Sequence, residues 1–403
     1  MPLLPQDEIH LTRALSLAQQ AAAFASPNPT VGCVLARDNI LLGEGAHHYD
    51  QRDHAEIVAL KQASAAGHSV RGATACVTLE PCSHQGRTGP CANALIAAGI
   101  ARCVVATVDP NPLVRGRGLA LLRAAGIAVV LLDPSHPLAQ QARRLNDAFA
   151  HFIQHRLPFV THKAALSADG KLAPAPSSRT TKAPHWITGA FARADVQLLR
   201  HQSDALLTGI GTILADNPSL TDRTGLPRRR PLLRVVLDSA LRTPLDSHLV
   251  TSAANDLLLL SSPHLTGSDP ALAARASHLA SHNAEVRQIP TLHQHLDLHA
   301  VLGELAQRQI LSLLVEAGSQ VNGSFLSSDL VDCVVLYSSQ INLGDDAVPF
   351  AANFGSPQDL QQRLIHTTHS TLPSDLVPNR EGAPNGEDHR IAGYLHDPWA
   401  GVL

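Results

Sequence analysis

The chain has 403 residues, too many for one ordinary hydrophobic core, so two domains are expected. Its 44% apolar and 16% charged residues describe a globular chain, and a formal net charge of −3 supplies neither a basic field for nucleic acid nor an acidic tail. No run of about 18 apolar residues reads as a membrane span, and six cysteines in so long a chain point to a reduced, cytoplasmic setting rather than a disulfide scaffold.

The N-terminus, MPLLPQDEIHLTRALSLAQQ, lacks a basic n-region and a continuous apolar stretch, and reads as mature protein starting a helix near Asp7. Helical spacing runs over Asp7–Phe24, and Val31–Ala36 (VGCVLA) reads as a buried strand. The alternation continues with a helix over His54–Ala66, a strand over Ala73–Leu79, a helix over Cys91–Ala98 stopped by Gly99, and a strand over Arg102–Val108. Gly118–Ala125 and Ile127–Leu132 repeat the scheme, which is that of an α/β layer fold. Pro137–Gln154 reads as one long helix, and Leu157-Pro158 ends it. The boundary is placed there, with one domain over residues 1–150 and a second over 157–403.

The second domain has strand patterns at Phe159–Leu166, Asp204–Gly209, Leu232–Ser239, Asp256–Ser261, Leu311–Ala317 and Val331–Ser338, with helices such as Ala190–His201 and Leu298–Gln307 between them. Past about Gly344 the periodicity fades into Pro, Gly, Asn and His. Most of the 23 histidines, His293 and His295 among them, sit singly in polar loops and read as surface residues. Cys33, Cys76, Cys103 and Cys333 lie inside apolar strands and read as small core hydrophobes.

The chemistry concentrates in two short stretches. DHAE (Asp53–Glu56) opens a helix, and TLEPCSHQGRTGPC (Thr78–Cys91) closes a strand. On a regular helix His54 and Glu56 point to nearly opposite faces, so they can share a site only beyond the helix N-terminus. Cys82 and Cys91 also fall where strand gives way to loop and helix, and positive helix ends favour thiolates. A ligand set of His54, Cys82 and Cys91 leaves the fourth position of tetrahedral zinc for water, as catalytic zinc requires. Glu56 would not bind metal; it would take the water's proton and deliver protons to the ring nitrogen and the departing ammonia. The usual partner of such a Pro-Cys cysteine comes three positions later, but that position is Gln85 and the next cysteine is Cys91.

With PNPTVGCV (Pro27–Val34), HAE, TLEPCSHQGRTGPC and DPNPLVRGRG (Asp109–Gly118) in view, the chain resembles the bifunctional deaminase/reductase family of riboflavin biosynthesis, whose zinc loop carries this stretched spacing. The resemblance continues through KAALSADGK (Lys163–Lys171), WIT (Trp186–Thr188), Asp195–Arg223, RVVLDS (Arg234–Ser239) and VEAGSQVNGSFL (Val315–Leu326). It implies an N-terminal cytidine-deaminase-like α/β/α domain and a C-terminal dihydrofolate-reductase-like α/β domain that binds NADPH. It further implies deamination of a phosphoribosylamino-pyrimidinone, then reduction of the ribose of the uracil product to a ribityl chain. By resemblance the cofactor lies against Ala165, Trp186, Thr212, Asp216, Ser239 and the turn Gly318, Ser319, Gln320, Val321, Asn322, Gly323 and Ser324, where N–H groups at a helix start can cradle phosphate. Arg200, Leu220, Arg223 and Glu316 match substrate positions of the reductase, guanidinium being suited to a sugar phosphate. Asn28 and His84 are expected on the pyrimidine and Arg87 on the phosphate. The partner is thus a phosphorylated small molecule, with no nucleic acid and no membrane; a homo-oligomer is compatible with the sequence and not specified by it.

Bland alternatives stand beside these assignments. Arg200 alone could be a solvated helix residue, and Asn28 between two prolines a turn former. The loop Leu172–Pro184 is longer than is usual in the family, and Pro184 replaces a substrate-binding Ser, which leaves room for an impaired reductase. Two other functions stay open: a zinc deaminase of another base or nucleotide, for which a basic surface is expected, and a zinc-stabilised binding module, against which the general base Glu56 speaks.

Overall fold

The computed structural model describes residues 2–84, 89–178, 185–263, 270–376 and 386–402. The chain divides into two compact units, Met1–Arg156 with Pro398–Leu403, and Leu157–Asp397. Where the sequence reading carried the second domain to residue 403, the last six residues lie in the first unit: Trp399 is buried and its indole N–H donates to Asp147 Oδ1 at 2.8 Å.

The first unit strings together α1 (Pro5–Ala25), β1 (Gly32–Arg37), β2 (Ile40–Ala46), α2 (Ala55–Ala65), β3 (Thr74–Val77), α3 (Cys91–Ala97), β4 (Arg102–Val105), α4 (Arg117–Ala124), β5 (Ala128–Leu131), α5 (Pro137–Arg144) and α6 (Asp147–His155). Its sheet runs β2-β1-β3-β4-β5, antiparallel across the first two pairings and parallel across the last two. Alternate strand residues face opposite sides. Cys33, Ala75 and Cys103 therefore pack with α2, α3 and α4, whereas Val34, Cys76 and Val104 pack with α1 and α5. All three of these strand cysteines are fully buried, while Cys333 is only half-buried.

The expected long helix over 137–154 is two helices, because Asn146 interrupts it. Its buried side chain accepts from Thr30 N–H at 2.8 Å and donates to Thr30 C=O at 3.0 Å, satisfying a loop that no strand partner serves.

The second unit contains β6 (Phe159–Leu166), β7 (Lys171–Ala173), α7 (Ala190–Gln202), β8 (Ala205–Gly209), α8 (Ile210–Asp216), β9 (Leu233–Leu237), α9 (His248–Thr251), β10 (Leu257–Ser261), α10 (Pro270–Ser281), β11 (Ala284–Gln288), β12 (Thr291–Leu292), β13 (His295–Leu296), α11 (Leu298–Gln307), β14 (Ser312–Val315), α12 (Ser319–Ser327), β15 (Cys333–Ser338), β16 (Val348–Pro349), α13 (Pro357–Gln362), β17 (Ile365–Pro373) and β18 (Glu387–Tyr394). Nine strands form one sheet in the order β11-β10-β9-β8-β14-β6-β15-β18-β17. The first seven are mutually parallel, and β18 and β17 add antiparallel at one edge. One face is covered by α11, α12 and α13, the other by α7 to α10. The region past Gly344, where the periodicity of the sequence fades, supplies this antiparallel edge.

Candidate active sites

In the first unit His54 is the N-cap of α2, with extended backbone, and Glu56 is the second helical residue. The first turn thus presents both side chains at the helix mouth. Cys91 is the first residue of α3, and its N–H donates to Cys82 Sγ at 3.3 Å. His54 Nδ1 lies 3.5 Å from Cys82 Sγ and 3.3 Å from Cys91 Sγ, and the three donor atoms lie within 4.8 Å of one another. Zinc bonded to nitrogen at about 2.0 Å and to sulfur at about 2.3 Å sets such atoms about 3.5–3.8 Å apart in a tetrahedron. The donor set fits a zinc ion, and among the described residues it is the one group of its kind.

The electrostatics match this chemistry. The Cys91 thiol, together with His54 and the Cys91 N–H, holds Cys82 down at about 4 as a thiolate. That thiolate in turn holds the Cys91 thiol up, so without a cation the two sulfurs share one proton. Burial, aided by the Cys82 charge, pushes the Glu56 carboxyl up to about 7. Glu56 is 3% exposed and is not one of the three clustered ligands.

Asn28 Nδ2 lies 3.0 Å from His47 Nε2, and His47 Nδ1 lies 2.8 Å from Asp53 C=O. A carbonyl only accepts, so His47 carries its proton on Nδ1 and accepts from Asn28 on Nε2. His47 also meets the His54 ring edge-on at 5.3 Å. His84 is exposed just beyond Cys82; Arg87 lies outside the described residues. Glu80, at the start of the same loop, accepts from four backbone N–H groups, those of Asp109, Gly116, Gly118 and Leu119, at 2.9–3.3 Å. A Cβ on Gly118 would stand 1.9 Å from Pro81 C=O, so only glycine lets α4 sit directly on the backbone that carries Cys82.

In the second unit a cleft of about 420 Å³ is lined by Trp186, Arg200, Asp216, Leu220 and Arg223, together with neighbours including His248. Two residues expected on the cofactor, Trp186 and Asp216, and three expected on the substrate, Arg200, Leu220 and Arg223, thus line one cleft. Arg200 donates to Glu316 through a fork, Nε to Oε1 at 2.7 Å and Nη2 to Oε2 at 3.0 Å. The half-buried Lys163 ammonium lies 3.8 Å from Glu316 Oε2. Burial, reinforced by the Arg200 charge, lowers Lys163; burial would raise Glu316, but Arg200 and Lys163 hold it below the usual carboxylate range. Leu220 has φ +55° in a segment pinned from three sides. Arg200 donates to Thr221 C=O, Arg234 donates to Ser219 C=O, and Gln197 accepts from Arg223 N–H, each at 3.0 Å.

Residues 158–377 match the RibD C-terminal domain family, and residues 4–107 match the cytidine and deoxycytidylate deaminase zinc-binding region. The riboflavin biosynthesis protein RibD of Escherichia coli (strain K12) is 40% identical over 355 residues, covering 85% of this chain and 90% of its own. The chain belongs to the RibD family. RibD of Actinobacillus pleuropneumoniae is also 40% identical, covering 81% of this chain and 82% of its own. Among solved structures, Acinetobacter baumannii RibD superposes with a TM-score of 0.73 at 32% identity, over 96% of this chain and 99% of that one. The Thermotoga maritima diaminohydroxyphosphoribosylaminopyrimidine deaminase/5-amino-6-(5-phosphoribosylamino)uracil reductase gives 0.74 at 29% identity, with the same coverage. The two-layered reading, a cytidine-deaminase-like unit followed by a RibD reductase unit, therefore stands.

Within this RibD frame some expected contacts sit apart from the cleft wall. Ala165 lies on β6 beside Tyr337, Thr212 lies on α8 close to Gly318, and Ser239 follows β9 and accepts from Ser262 N–H at 3.1 Å. Gly318 is the N-cap of α12, and a helix leaves free N–H groups only in its first turn, here Ser319 to Val321. Asn322 points the other way: it is fully buried, its amide donates to Phe350 C=O at 3.0 Å and its N–H to Gly318 C=O at 3.1 Å. Gly323 packs on Ala352, whose C=O would stand 1.9 Å from a Cβ, and Ser324 Oγ donates to Gln320 C=O. Asn322 and Gly323 thus seat the helix, and the exposed Ser324 bonds within it, so none of the three faces its N-terminus. Pro184 lies outside the described residues; of the hydroxyls in the same loop that could replace the missing Ser, that of Ser178 donates to Ala175 C=O at 2.8 Å. His47, Glu80 and Lys163 were not singled out from the sequence. A carboxylate preceding the Pro-Cys pair was the available signal for Glu80.

Proposed function

We propose that the first unit hydrolyses the amino group of 2,5-diamino-6-(5-phosphoribosylamino)pyrimidin-4(3H)-one, and that the second reduces the ribose of 5-amino-6-(5-phosphoribosylamino)uracil with NADPH. The observation that carries this reading is the triad His54, Cys82 and Cys91 at two helix starts, with a buried carboxyl at the same mouth that is not part of the ligand cluster. Zinc, when bound there, supplies the Lewis acidity that makes water a nucleophile near neutral pH. Glu56 takes the proton that water loses and passes protons to the ring nitrogen and the leaving amine. The C–O bond forms, the C–N bond breaks, and ammonia departs. The burial of Glu56 at the helix mouth, away from bulk water, suits both directions of that traffic. Asn28, held by His47, and His84 meet the pyrimidine, and Arg87 meets the phosphate.

In the second unit NADPH supplies a hydride. The Ser319–Val321 N–H groups receive a cofactor phosphate, Arg200 and Arg223 hold the sugar phosphate, and Lys163 holds a proton beside Glu316 for the sugar ring oxygen as the ring opens. The substrate is a phosphorylated small molecule rather than nucleic acid. All six cysteines are free thiols, which supports a reducing, cytoplasmic setting, and no helix among the described residues is long and apolar enough to cross a membrane. A homo-oligomer is compatible with this reading.

One assay tests both halves: the pyrimidinone nucleotide with and without NADPH, resolving ammonia, the uracil product and its ribityl derivative. Glu56→Gln is expected to lower ammonia release by about 10²- to 10⁴-fold with zinc content unchanged. Turnover like that of the unaltered chain would overturn the assigned role.

A further inference from the structure

Resting on the reductase reading of the second cleft, we propose that Tyr337 is a positioning residue for reduction, its ring holding the Lys163 ammonium at the Glu316 end of the site. Tyr337 is fully buried on β15, one residue pair along from Lys163: in the parallel register Lys163 faces Val335, and Ala165 faces Tyr337. The two side chains therefore rise from the same face of the sheet, beneath α7. The Lys163 ammonium lies 5.8 Å from the centre of the Tyr337 ring. This is the geometry in which a ring face attracts a cation, and the attraction is strongest where water is excluded.

The other groups around Lys163 leave the ring a distinct task. Glu316, at the end of β14, already receives the Arg200 fork, so its 3.8 Å contact to Lys163 is the weaker of its two ion pairs. Arg200, from α7, is a like charge. Glu316 thus divides its charge between two cations, Arg200 repels the ammonium, and the Tyr337 ring lies beneath it. The ring itself is anchored at its far end, because Tyr337 O–H donates to Asp195 Oδ2 on α7 at 2.6 Å, and Arg390 on β18 pairs with the same oxygen at 2.9 Å. Donation to a carboxylate enriches the ring in electron density, which strengthens its hold on a cation. Tyr337 thus links α7, β15 and β18 to the Lys163 ammonium.

The charged groups that bear directly on the titration of Lys163 are Glu316, just after β14, and Arg200 on α7; the neutral Tyr337 on β15 lies beneath the ammonium, with Asp195 on α7 and Arg390 on β18 at its hydroxyl end. The ring favours charged lysine, so removing it lowers the pH at which Lys163 loses its proton. A reduction that needs the protonated form then fails earlier as pH rises.

The chain has four lysines, Lys61, Lys163, Lys171 and Lys182, so isotope-labelled lysine gives few enough signals to follow Lys163 alone, assigned by its loss in Lys163→Arg. In the full-length chain, Tyr337→Leu is expected to lower the Lys163 titration midpoint by about one pH unit, and Tyr337→Phe, which keeps the ring, by less than half of that. Above that midpoint, Tyr337→Leu should cut kcat for NADPH oxidation about tenfold while KM for NADPH changes by less than about twofold. An unchanged thermal midpoint of the second unit, which carries Tyr337, reports that this unit is folded. A Lys163 midpoint unmoved by Tyr337→Leu, or moved as far by Tyr337→Phe, would overturn the proposal. If the unaltered chain oxidised no NADPH, the reductase reading would fall, and the titration would still decide whether Tyr337 sets the ammonium.

Discussion

Glu80 reacts with nothing, yet four backbone N–H groups converge on its carboxylate, tying the strand end that carries Cys82 to the loop 109–116 and the first turn of α4. Both oxygens are used as acceptors, so replacing one by an amide nitrogen turns an attraction into a clash of donors. Glu80→Gln is expected to cost about 2 kcal/mol, read as a fall of about 4–8 °C in the thermal midpoint of the first unit. Deamination should drop and NADPH oxidation should not; an unchanged midpoint would sink the assignment. Residues of this kind resist reading from a sequence. His54, Glu56, Cys82 and Cys91 were legible because zinc chemistry demands particular residue types in a particular order at helix starts. An acceptor of backbone N–H groups has no such signature, and neither has His47, whose role rests on contacts to Asn28 and Asp53. Lys163 was quoted within a motif, but only the strand register places it beside Glu316 and Tyr337.

Elements were legible where apolar periodicity was strong, as in the buried parallel strands β6, β8, β10 and β15, and illegible where a local contact overrode it. β2 contains Gly43 and Gly45, poor strand formers that here pass close to α2. β17 lies at the sheet edge with every residue exposed or half-buried, so it shows no alternation. The break between α5 and α6 is the informative case, because helix propensity alone continues through it. Asn146 leaves the helix to serve both backbone groups of Thr30, two residues beyond Asn28. Asn146→Leu would strand a buried N–H and a buried C=O, at a cost of about 2–4 kcal/mol, and would loosen the loop that presents Asn28. The expected kinetic result is a KM for the pyrimidine substrate raised more than kcat is lowered, with zinc content unchanged. A destabilised variant with an unaltered KM would show that the Asn28 loop is held by something else.

At the scale of the whole molecule, the chain leaves the first unit at Arg156, builds the second, and returns with its last six residues to finish the first. The return is anchored. Trp399 is 5% exposed and packs in the same cluster as α2 and α4, its indole N–H donates to Asp147, and Arg143 stacks over its ring at 5.3 Å. Gln154 Nε2 donates to Pro398 C=O at 2.6 Å, and Arg115 Nη1 to Gly401 C=O at 3.1 Å. The deaminase unit therefore cannot be completed until the reductase unit has been synthesised, which linear domain bounds conceal. Ending the chain after Asp397 removes a buried tryptophan and its hydrogen bond, a loss of about 3–5 kcal/mol and a drop on the order of 10 °C in the midpoint of the first unit. The second unit keeps all of its strands, including the β15–β18 pairing that ends three residues before the cut. Thermal unfolding followed by zinc release, with NADPH oxidation measured on the same sample, separates the two. Zinc should leave at lower temperature while reduction of supplied uracil nucleotide persists at its original rate; equal loss of both activities would mean that the tail serves the second unit as well.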